Sequence, residues 1–188
     1  MNRIFIFDVD GTVANSSIYT PLIIYFQKHK LYFRLFLLYL LVPFSIVLDF
    51  FSRPTHQLVF YSLYKNIYKK YDCYDELMLE FSKKEIAITC DILNHVMDKH
   101  TVYFISTNVS VIGIYLNKFS PKKSYLIDVN NINRDVLTDY KEKSIKEIIA
   151  NNPNCKLFGF GDSKYDMPFL KYCDKGFILK NQKYQRVV

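Results

Sequence analysis

The sequence predicts an α/β fold with a doubly wound parallel sheet. Short apolar runs bounded by turn residues alternate with helical patterns, and the first of these runs, Arg3–Phe7, is followed by two aspartates. Continuous apolar runs of this length are typical of strands buried on both faces, and their alternation with helices indicates a parallel sheet. The carboxyl ends of such strands share one edge, which is where ligands bind in open α/β sheets.

The remaining elements follow in chain order. After a small polar loop at 13–17, Thr20 and Pro21 suit the start of a helix, because proline is favoured in a first turn. Further helices are predicted to Lys99. The later pattern predicts strands at 102–106, 124–129, 155–162 and 175–179, alternating with helices at 109–119, 140–150 and 163–172.

The strand pattern divides the chain into two parts. Predicted sheet strands lie at the start and in the second half, and helices occupy the sequence between them. A length of 188 residues suits one domain that carries an insertion. We therefore predict a catalytic core formed by 1–16 and 86–188, and an inserted helical cap at 17–85.

Positive charge is concentrated in this predicted cap. Residues 18–70 hold seven Lys and Arg against Asp49 alone, within a chain of net charge +7. The segment shows no nucleic-acid-binding motif and is interleaved with apolar residues, so we expect no nucleic acid and favour an anionic membrane surface. The cysteines form no CxxC pair and nothing resembles a secretory signal, so we expect reduced thiols and a cytoplasmic protein. They are Cys73, Cys90, Cys155 and Cys173.

The most apolar part of the cap is the segment 31–51. Its uncharged interior, 35–48, has 14 residues, whereas a spanning helix needs about 20. We favour a helical hairpin bent near Pro43 that lies in the membrane interface. A helix that spans the membrane, or a pair of helices buried in the core or in a dimer interface, is the alternative.

Two acidic groups stand where predicted strands end. Asp8 and Asp10 precede the turn residue Gly11, and Asp162 precedes Asp166 by one helical turn. Carboxylates brought to one sheet edge repel each other unless a cation lies between them or one of them holds a proton, and Mg²⁺ prefers oxygen ligands. Acidic turns and helix caps without a ligand are the alternative for each group taken alone.

Ser106, Thr107 and Lys141 are candidates for phosphate binding. Ser106 is predicted at a strand tip before a helix, where its hydroxyl and free backbone N–H groups suit an anion; simple N-capping is the alternative. Lys141 is predicted at the start of its helix, from which its side chain reaches the sheet edge. We prefer it for this reason to Lys143 and Lys146, although a solvated helix face would also explain it.

These motifs resemble a known family. The segments DVDGT (8–12), IST (105–107), Lys141 and GDSxxD (161–166) are similar, in order, to the four motifs of the haloacid dehalogenase (HAD) superfamily of aspartate-nucleophile phosphohydrolases. The helical insertion after the first motif resembles subfamily IB, the phosphoserine phosphatase-like branch. The apolar, basic character of the insertion resembles the bacterial phosphatidylglycerophosphatase type.

The resemblance implies a role for each motif residue. Asp8 would be the nucleophile and Asp10 the general acid and base. Mg²⁺ would be held by Asp8, the backbone carbonyl of Asp10, Asp162 and Asp166. Phosphoryl oxygens would be bound by Ser106 and Lys141, with backbone N–H groups near Thr107 and Gly11.

The function expected from the motifs is phosphomonoester hydrolysis through an aspartyl-phosphate. The apolar, basic cap favours a lipid phosphate monoester, such as a phosphatidylglycerophosphate, and a peripheral position on the inner face of the cell membrane. A soluble enzyme for a phosphorylated metabolite, with the apolar cap buried in a homodimer, is one alternative. An inactive membrane-surface scaffold is another.

Overall fold

The fold is built on one six-stranded sheet. Residues 2–69 and 71–188 are described by the structure, which is a computed structural model. The strands are β1 (Arg3–Phe7), β2 (Thr101–Val109), β3 (Lys123–Ile127), β4 (Lys156–Gly161), β5 (Lys175–Lys180) and β6 (Lys183–Arg186). Their order is β3-β2-β1-β4-β5-β6, and all neighbours are parallel except β5 and β6. The predicted fold class is confirmed.

Helices lie between the strands. Among the described residues, five helices lie between β1 and β2, namely α1 (Thr20–Lys28), α2 (Tyr32–Leu63), α3 (Lys65–Lys69), α4 (Tyr74–Lys83) and α5 (Ala87–Met97). The others are α6 (Gly113–Leu116), α7 (Arg134–Asn151) and α8 (Met167–Leu170), with short 3₁₀ turns at Ser110–Ile112, Asn117–Phe119 and Lys164–Asp166.

Both faces of the central strand β1 are buried. Phe5 and Phe7 pack into a cluster with residues of α4, α5 and β2, whereas Ile4 and Ile6 pack into another with Ile145 and other residues of α7 and α8. Successive strand residues point to opposite faces, so a continuous apolar run suits a strand covered on both sides. The end of β1 is therefore held rigidly at the centre of the sheet.

The two connections between the sheet and α1–α4 run side by side. The backbone N–H of Asn15 donates to the carbonyl of Lys84 at 2.8 Å, and that of Ile86 donates to the carbonyl of Val13 at 3.0 Å. This pairing lies at the predicted limits of the insertion 17–85 and directly follows the Asp8–Gly11 loop. The division into core and cap stays a prediction, but the helices begin and end beside the acidic loop.

The predicted bend at Pro43 is wrong, because α2 is helical through Pro43 and breaks at Ser52. Ser52 has extended backbone angles, φ −162° and ψ 96°, and its Oγ accepts from the backbone N–H of Thr55 at 3.4 Å. Ser52 thus caps a second helical part that has Pro54 in its first turn. An N-cap signal decided the position of the break.

The part of α2 before Ser52 is an apolar helix exposed over most of its circumference. Projected at 3.6 residues per turn, its thirteen exposed large apolar side chains cover an arc of about 220°. They are Tyr32, Phe33, Phe36, Leu37, Tyr39, Leu40, Leu41, Phe44, Ile46, Val47, Leu48, Phe50 and Phe51. The alternative of a helix pair buried in the chain's own core is therefore wrong. By length and composition, α2 (Tyr32–Leu63) could cross a membrane.

One further prediction in the second half of the chain is wrong, and one strand there was not predicted. The helix predicted at 109–119 is a chain of short turns around α6, because β2 continues to Val109. The strand predicted at 175–179 is β5, and it forms a hairpin with β6, which was not predicted. Asn181 and Gln182 form the hairpin turn with φ of 49° and 60°, the left-handed backbone that two-residue hairpin loops require.

Candidate active site

β1 places Asp8 and Asp10 at the edge of the sheet. The backbone N–H of Asp8 donates to the carbonyl of Phe160 at 2.8 Å, which continues the pairing with β4. The chain then turns so that the N–H groups of Thr12, Val13 and Ala14 all donate to the carbonyl of Val9. Gly11 has φ +81°, a left-handed conformation that glycine adopts at no steric cost.

Lys141 reaches the same point from α7, but the prediction that it starts this helix is wrong. The helix begins at Arg134, and the Asn133 side chain caps it by accepting from the N–H of Val136. Lys141 lies in the middle, on the buried side, whereas Lys143 and Lys146 are exposed. Its long side chain reaches the sheet edge from within the protein.

The ammonium group of Lys141 contacts two carboxylates. Its Nζ lies 2.5 Å from Asp8 Oδ1 and 2.5 Å from Asp166 Oδ1, and all three residues are buried. Charged groups taken out of water must be paired and hydrogen-bonded, as these are. These two ion pairs connect the end of β1, the middle of α7 and the turn after β4.

The turn after β4 holds Asp162 and Asp166. Asp166 Oδ2 accepts from the backbone N–H groups of Asp162 at 2.9 Å and Ser163 at 3.0 Å, and Ser163 and Asp166 form a capping box. A Cβ on Gly161 would lie 2.5 Å from Asp166 Oδ2. The absence of a side chain at Gly161 therefore leaves space for the Asp166 carboxylate, which accepts the backbone hydrogen bonds of this turn.

The three side chains predicted to hold the metal come together. Carboxylate oxygens of Asp8, Asp162 and Asp166 all lie within 4.8 Å of one another. The Asp10 side chain is not part of this group, and a contribution from its backbone carbonyl stays a prediction. An all-oxygen set of carboxylates is the donor chemistry that Mg²⁺ prefers.

The charges in this group are not balanced by Lys141 alone. Burial, and then the charge of Asp166, raise the pKa of Asp8 well above its usual value against the opposing effect of Lys141. The same two causes raise the pKa of Asp162 to about 6. Burial also opposes the charge of Asp166, but Lys141 and backbone hydrogen bonds lower the pKa of Asp166. Three carboxylates facing one lysine fit an additional divalent cation.

Asp10 is held by three hydrogen-bond donors. It accepts from Ser16 Oγ at 2.6 Å, from Ser106 Oγ at 3.2 Å and from Asn108 Nδ2 at 3.1 Å. Ser106 does not lie at a strand tip before a helix, so that prediction is wrong: β2 passes through it with a shift in register against β3. Its hydroxyl contacts Asp10 and lies at the same edge as the acids.

Asn108 is a site residue that sequence reasoning missed. It is fully buried, and its Oδ1 accepts from the backbone N–H of Val109 while its amide donates to Asp10. In a strand, residues two apart face the same side, so Asn108 lies on the side of Ser106. Reading the strand through to Val109 would have found it.

The second part of α2 packs over the sheet edge and contacts Thr107 of β2. Gln57 Nε2 donates to Thr107 Oγ1 at 2.9 Å, and the Tyr61 hydroxyl donates to the Thr107 carbonyl at 2.7 Å. Gln57 and Tyr61 are one helical turn apart and face the same side. The Thr107 hydroxyl is thus hydrogen-bonded to α2, and only its backbone N–H is left for the predicted phosphate contact.

Two cavities flank this contact. One of about 380 Å³ is lined by residues that include Asp10, Gly11 and Asp162 from the sheet edge, Tyr19 just before α1, and Ser45, Ile46, Asp49, Arg53, His56 and Gln57 from α2. The other, of about 140 Å³, is lined by residues that include Thr107, Lys141, Tyr165 and Arg53. Arg53 therefore lies between the two cavities, and its guanidinium stands 4.5 Å over the Tyr165 ring.

Comparison with known proteins identifies the fold. No protein-family model matches the chain, and no curated protein matches its sequence. Among solved structures, the crystal structure of phosphoserine phosphatase in apo form is similar with a TM-score of 0.54 and 11% identity, over 94% of this chain and 85% of that one. At 11% identity, this similarity shows the fold alone. The protein has the fold of a phosphoserine phosphatase.

Proposed function

We propose that this protein is a Mg²⁺-dependent phosphomonoester phosphatase of the HAD superfamily. The observation that carries the proposal is the buried contact of Lys141 with Asp8 and Asp166, next to Asp10 at the edge of a cavity. A rigid carboxylate paired with a lysine suits a nucleophile, and a second carboxylate at the cavity suits an acid and base. The phosphoserine phosphatase fold supports this reading.

In the first step, Asp8 attacks the phosphorus atom and forms an aspartyl-phosphate. The bond between phosphorus and the leaving oxygen breaks, and Asp10 gives that oxygen a proton. Ser16, Ser106 and Asn108 hold the Asp10 carboxylate in place for this transfer. Lys141 favours the ionised form of Asp8 that the attack requires.

In the second step, Asp10 takes a proton from water, and the oxygen of that water attacks phosphorus. The bond between phosphorus and the Asp8 oxygen breaks, which releases inorganic phosphate and restores Asp8. Asp8, Asp162 and Asp166 would hold Mg²⁺, with the Asp10 carbonyl as a further ligand. When bound, the ion supplies positive charge to the phosphoryl oxygens and offsets the repulsion among the carboxylates.

For the substrate, we propose a lipid phosphate monoester that the enzyme meets at a membrane surface. Ser45, Ile46 and Asp49 of the exposed apolar helix line the same cavity as Asp10 and Gly11. The apolar arc and the catalytic acids are therefore neighbours. A substrate with an acyl part and a phosphate head would bridge them.

The position of the apolar helix favours an interfacial location. The side chains that face the protein fall within about 80° of arc on a helical projection, and they occur along the whole exposed part. They are Leu31, Leu35, Leu38, Val42, Ser45 and Asp49. The helix thus lies along the domain instead of projecting from it. A second copy would cover one stripe, whereas fluid lipid covers an arc of about 220°.

Basic groups accompany this surface. Lys30 and Arg34 are exposed at the start of the apolar helix, next to the aromatic side chains of Tyr32 and Phe33. Lysine and arginine beside an apolar helix face are attracted to anionic headgroups. This charge favours a bilayer over a neutral protein partner.

Arg53 is placed to bind a second anionic group of the substrate. It is half-buried between the two cavities, and within the described residues no carboxylate lies within ion-pair distance of it. A phosphodiester in the head of a lipid phosphate monoester would pair with it. Arg53→Gln should therefore raise KM for such a lipid and leave kcat nearly unchanged, because this contact is the same before and during the reaction.

The test of the chemistry is phosphate release by the full chain with and without Mg²⁺. Asp8→Asn should abolish turnover, and Asp91→Asn, an exposed aspartate on α5, serves as the matched control and should keep it. Full activity of Asp8→Asn would overturn the assignment of the nucleophile.

The test of the substrate is a panel assayed under one condition. It compares a phospholipid that carries a terminal phosphate, presented in mixed micelles, with phosphoserine and other small phosphomonoesters. We expect a higher kcat/KM for the lipid. A higher value for a small ester would instead support a metabolite phosphatase, in line with the name of the structural neighbour.

A further inference from the structure

A second group of metal-ligand side chains lies among the inserted helices. His29 directly follows α1, and Asp72 and Cys73 directly precede α4. Cys73 is buried, whereas His29 and Asp72 are exposed, so the group forms a shallow site with a thiol at its base. None of the three lines the cavity that holds Asp10. This group is therefore separate from the phosphatase site.

The three donor atoms form a compact triangle. His29 Nε2 lies 3.2 Å from Asp72 Oδ1, Cys73 Sγ lies 3.4 Å from the same oxygen, and Cys73 Sγ lies 3.8 Å from His29 Nε2. Around a tetrahedral Zn²⁺ with its usual ligand distances, the nitrogen–oxygen edge is about 3.3 Å, the oxygen–sulfur edge about 3.5 Å and the nitrogen–sulfur edge about 3.6 Å. The observed edges differ from these by only tenths of an ångström.

The surroundings fix the orientation of these groups. The Tyr25 ring faces the His29 ring with centroids 4.3 Å apart, and the His29 backbone N–H donates to the Tyr25 carbonyl at 3.1 Å. An ion pair between Lys28 and Glu76 connects the same two elements next to the site. The end of α1 and the start of α4 thus already stand at the separation that a shared ion needs.

We propose that His29, Asp72 and Cys73 bind one Zn²⁺ ion that fastens the end of α1 to the start of α4. A thiolate, an imidazole and a carboxylate are zinc ligands, and the thiolate disfavours Mg²⁺. The three protein ligands leave the fourth tetrahedral position to water. The chain would therefore sort two metals by donor chemistry, with Mg²⁺ at the carboxylates of the sheet edge and Zn²⁺ in the cap.

Binding replaces one proton, because the metal takes the thiolate form of cysteine. The Cys73 thiol proton, which donates to Asp72 in the metal-free protein, is released to solvent as the Zn–S bond forms. No electron is transferred. The two contacts that His29 makes to Asp72 and Cys73 are exchanged for bonds to the ion.

Co²⁺ provides the first test, because cobalt bound to a thiolate shows a charge-transfer absorption in the ultraviolet that cobalt bound to carboxylates lacks. The full chain is titrated with Co²⁺ and should show this band with a stoichiometry of one. Cys73→Ser should lose the band, and Cys155→Ser, the matched control outside the site, should keep it. An equal band in Cys73→Ser, or no band in the unsubstituted chain, would overturn the proposal.

His29→Ala keeps the proposal testable if Cys73→Ser folds poorly, because His29 is exposed. Zn²⁺ affinity should fall in His29→Ala by more than the roughly 10- to 100-fold that loss of an outer-shell partner causes. Zn²⁺ should raise the Tm of the unsubstituted chain, and Asp8→Asn should retain this rise. His29→Ala should retain phosphatase activity, so the zinc site and the phosphatase site can be tested separately. Unchanged zinc affinity in His29→Ala would mean that the triad is only a hydrogen-bonded cluster.

Discussion

The Asp162 carboxylate lies directly against the Cα of Gly11. A Cβ added to Gly11 would stand 2.5 Å from Asp162 Oδ2 and 2.7 Å from its Cγ. Gly11 and Asp162 are 151 positions apart in the sequence, so the loop after β1 and the turn after β4 touch at this glycine. Their contact brings the first and the last acidic motif into one site.

Gly11→Ala should disable the site. The methyl group would displace Asp162, and φ of +81° is strained for alanine. We expect kcat/KM to fall by about 100-fold or more, the loss that a misplacement of about 1 Å can cause. Gly113→Ala, in a helical conformation away from the acids, should keep its activity in the same assay. Normal turnover and Mg²⁺ affinity in Gly11→Ala would contradict the packing described here.

Asn108→Ala should act through Asp10. The Asn108 amide donates to both oxygens of Asp10, so its loss should free the carboxyl group that we propose as the general acid. We expect kcat for an alkyl phosphate to fall by about 10- to 100-fold, within the usual contribution of general acid catalysis. The measurement is kcat over pH 5 to about 9 for alkyl and aryl phosphates.

The aryl substrate is the control for Asn108. A nitrophenolate leaves without a proton, so formation of the aspartyl-phosphate should be much less affected than with an alkyl phosphate. A single-turnover measurement isolates this step from hydrolysis of the intermediate. An equal loss with both substrates would indicate general damage to the fold instead of misplacement of Asp10.

Asp162→Asn should stabilise the metal-free protein as pH rises. The pKa of Asp162 is about 6 in the folded protein, above the value of 3.8 expected after unfolding, so the folded state binds more protons between these values. Its contribution to stability is therefore present below about pH 4 and lost by about pH 6. In EDTA at pH 7, the Tm of Asp162→Asn should exceed that of the unsubstituted chain by roughly 2 to 4 °C, or about 1 kcal/mol.

Mg²⁺ should reverse this order. Bound to the unsubstituted chain, it should remove the repulsion and raise Tm, whereas Asp162→Asn lacks one of the proposed ligands. Thermal melts at pH 4 and pH 7, each with EDTA or with Mg²⁺, give the full comparison. A Tm difference in EDTA that does not change with pH would show that Asp162 carries no such charge penalty.

Phe44→Ser and Phe50→Ser should weaken membrane binding. The two side chains are 70% and 83% exposed, so replacing them removes little from the protein core. Full burial of such a side chain in an apolar phase contributes about 1.5–3 kcal/mol, so each substitution should lower the partition coefficient by about tenfold or more. Flotation with anionic liposomes measures the effect, and added salt should weaken binding of the unsubstituted chain.

Leu79→Ser is the matched control for this experiment. Leu79 is 57% exposed on α4, outside the apolar helix, and its replacement should leave flotation unchanged. If the unsubstituted chain does not float but sediments as a dimer, and Phe44→Ser is monomeric, the apolar helix would be a dimer interface instead.

Sequence by itself determined the parallel sheet and the acidic residues at the carboxyl edge of its strands. Continuous apolar runs that end in acids are local features, and they identified β1 and β4 together with Asp8, Asp10, Asp162 and Asp166. The choice of Lys141 among three neighbouring lysines also agrees with the structure, although the reason for it was wrong. Its reach depends on burial in mid-helix, which helical periodicity indicates only if the helix start is known.

Tertiary structure decided which groups touch and which surface stays open. Asn108 joins Asp10 because β2 continues past Ser106, and pairing with β3 determines how far that strand runs. The apolar helix could have been buried or exposed, since its composition suits both. Only tertiary packing showed that one narrow stripe of it, with Leu38 and Ser45, faces the protein. Long-range contacts of this kind depend on the whole fold, and a local pattern does not contain them.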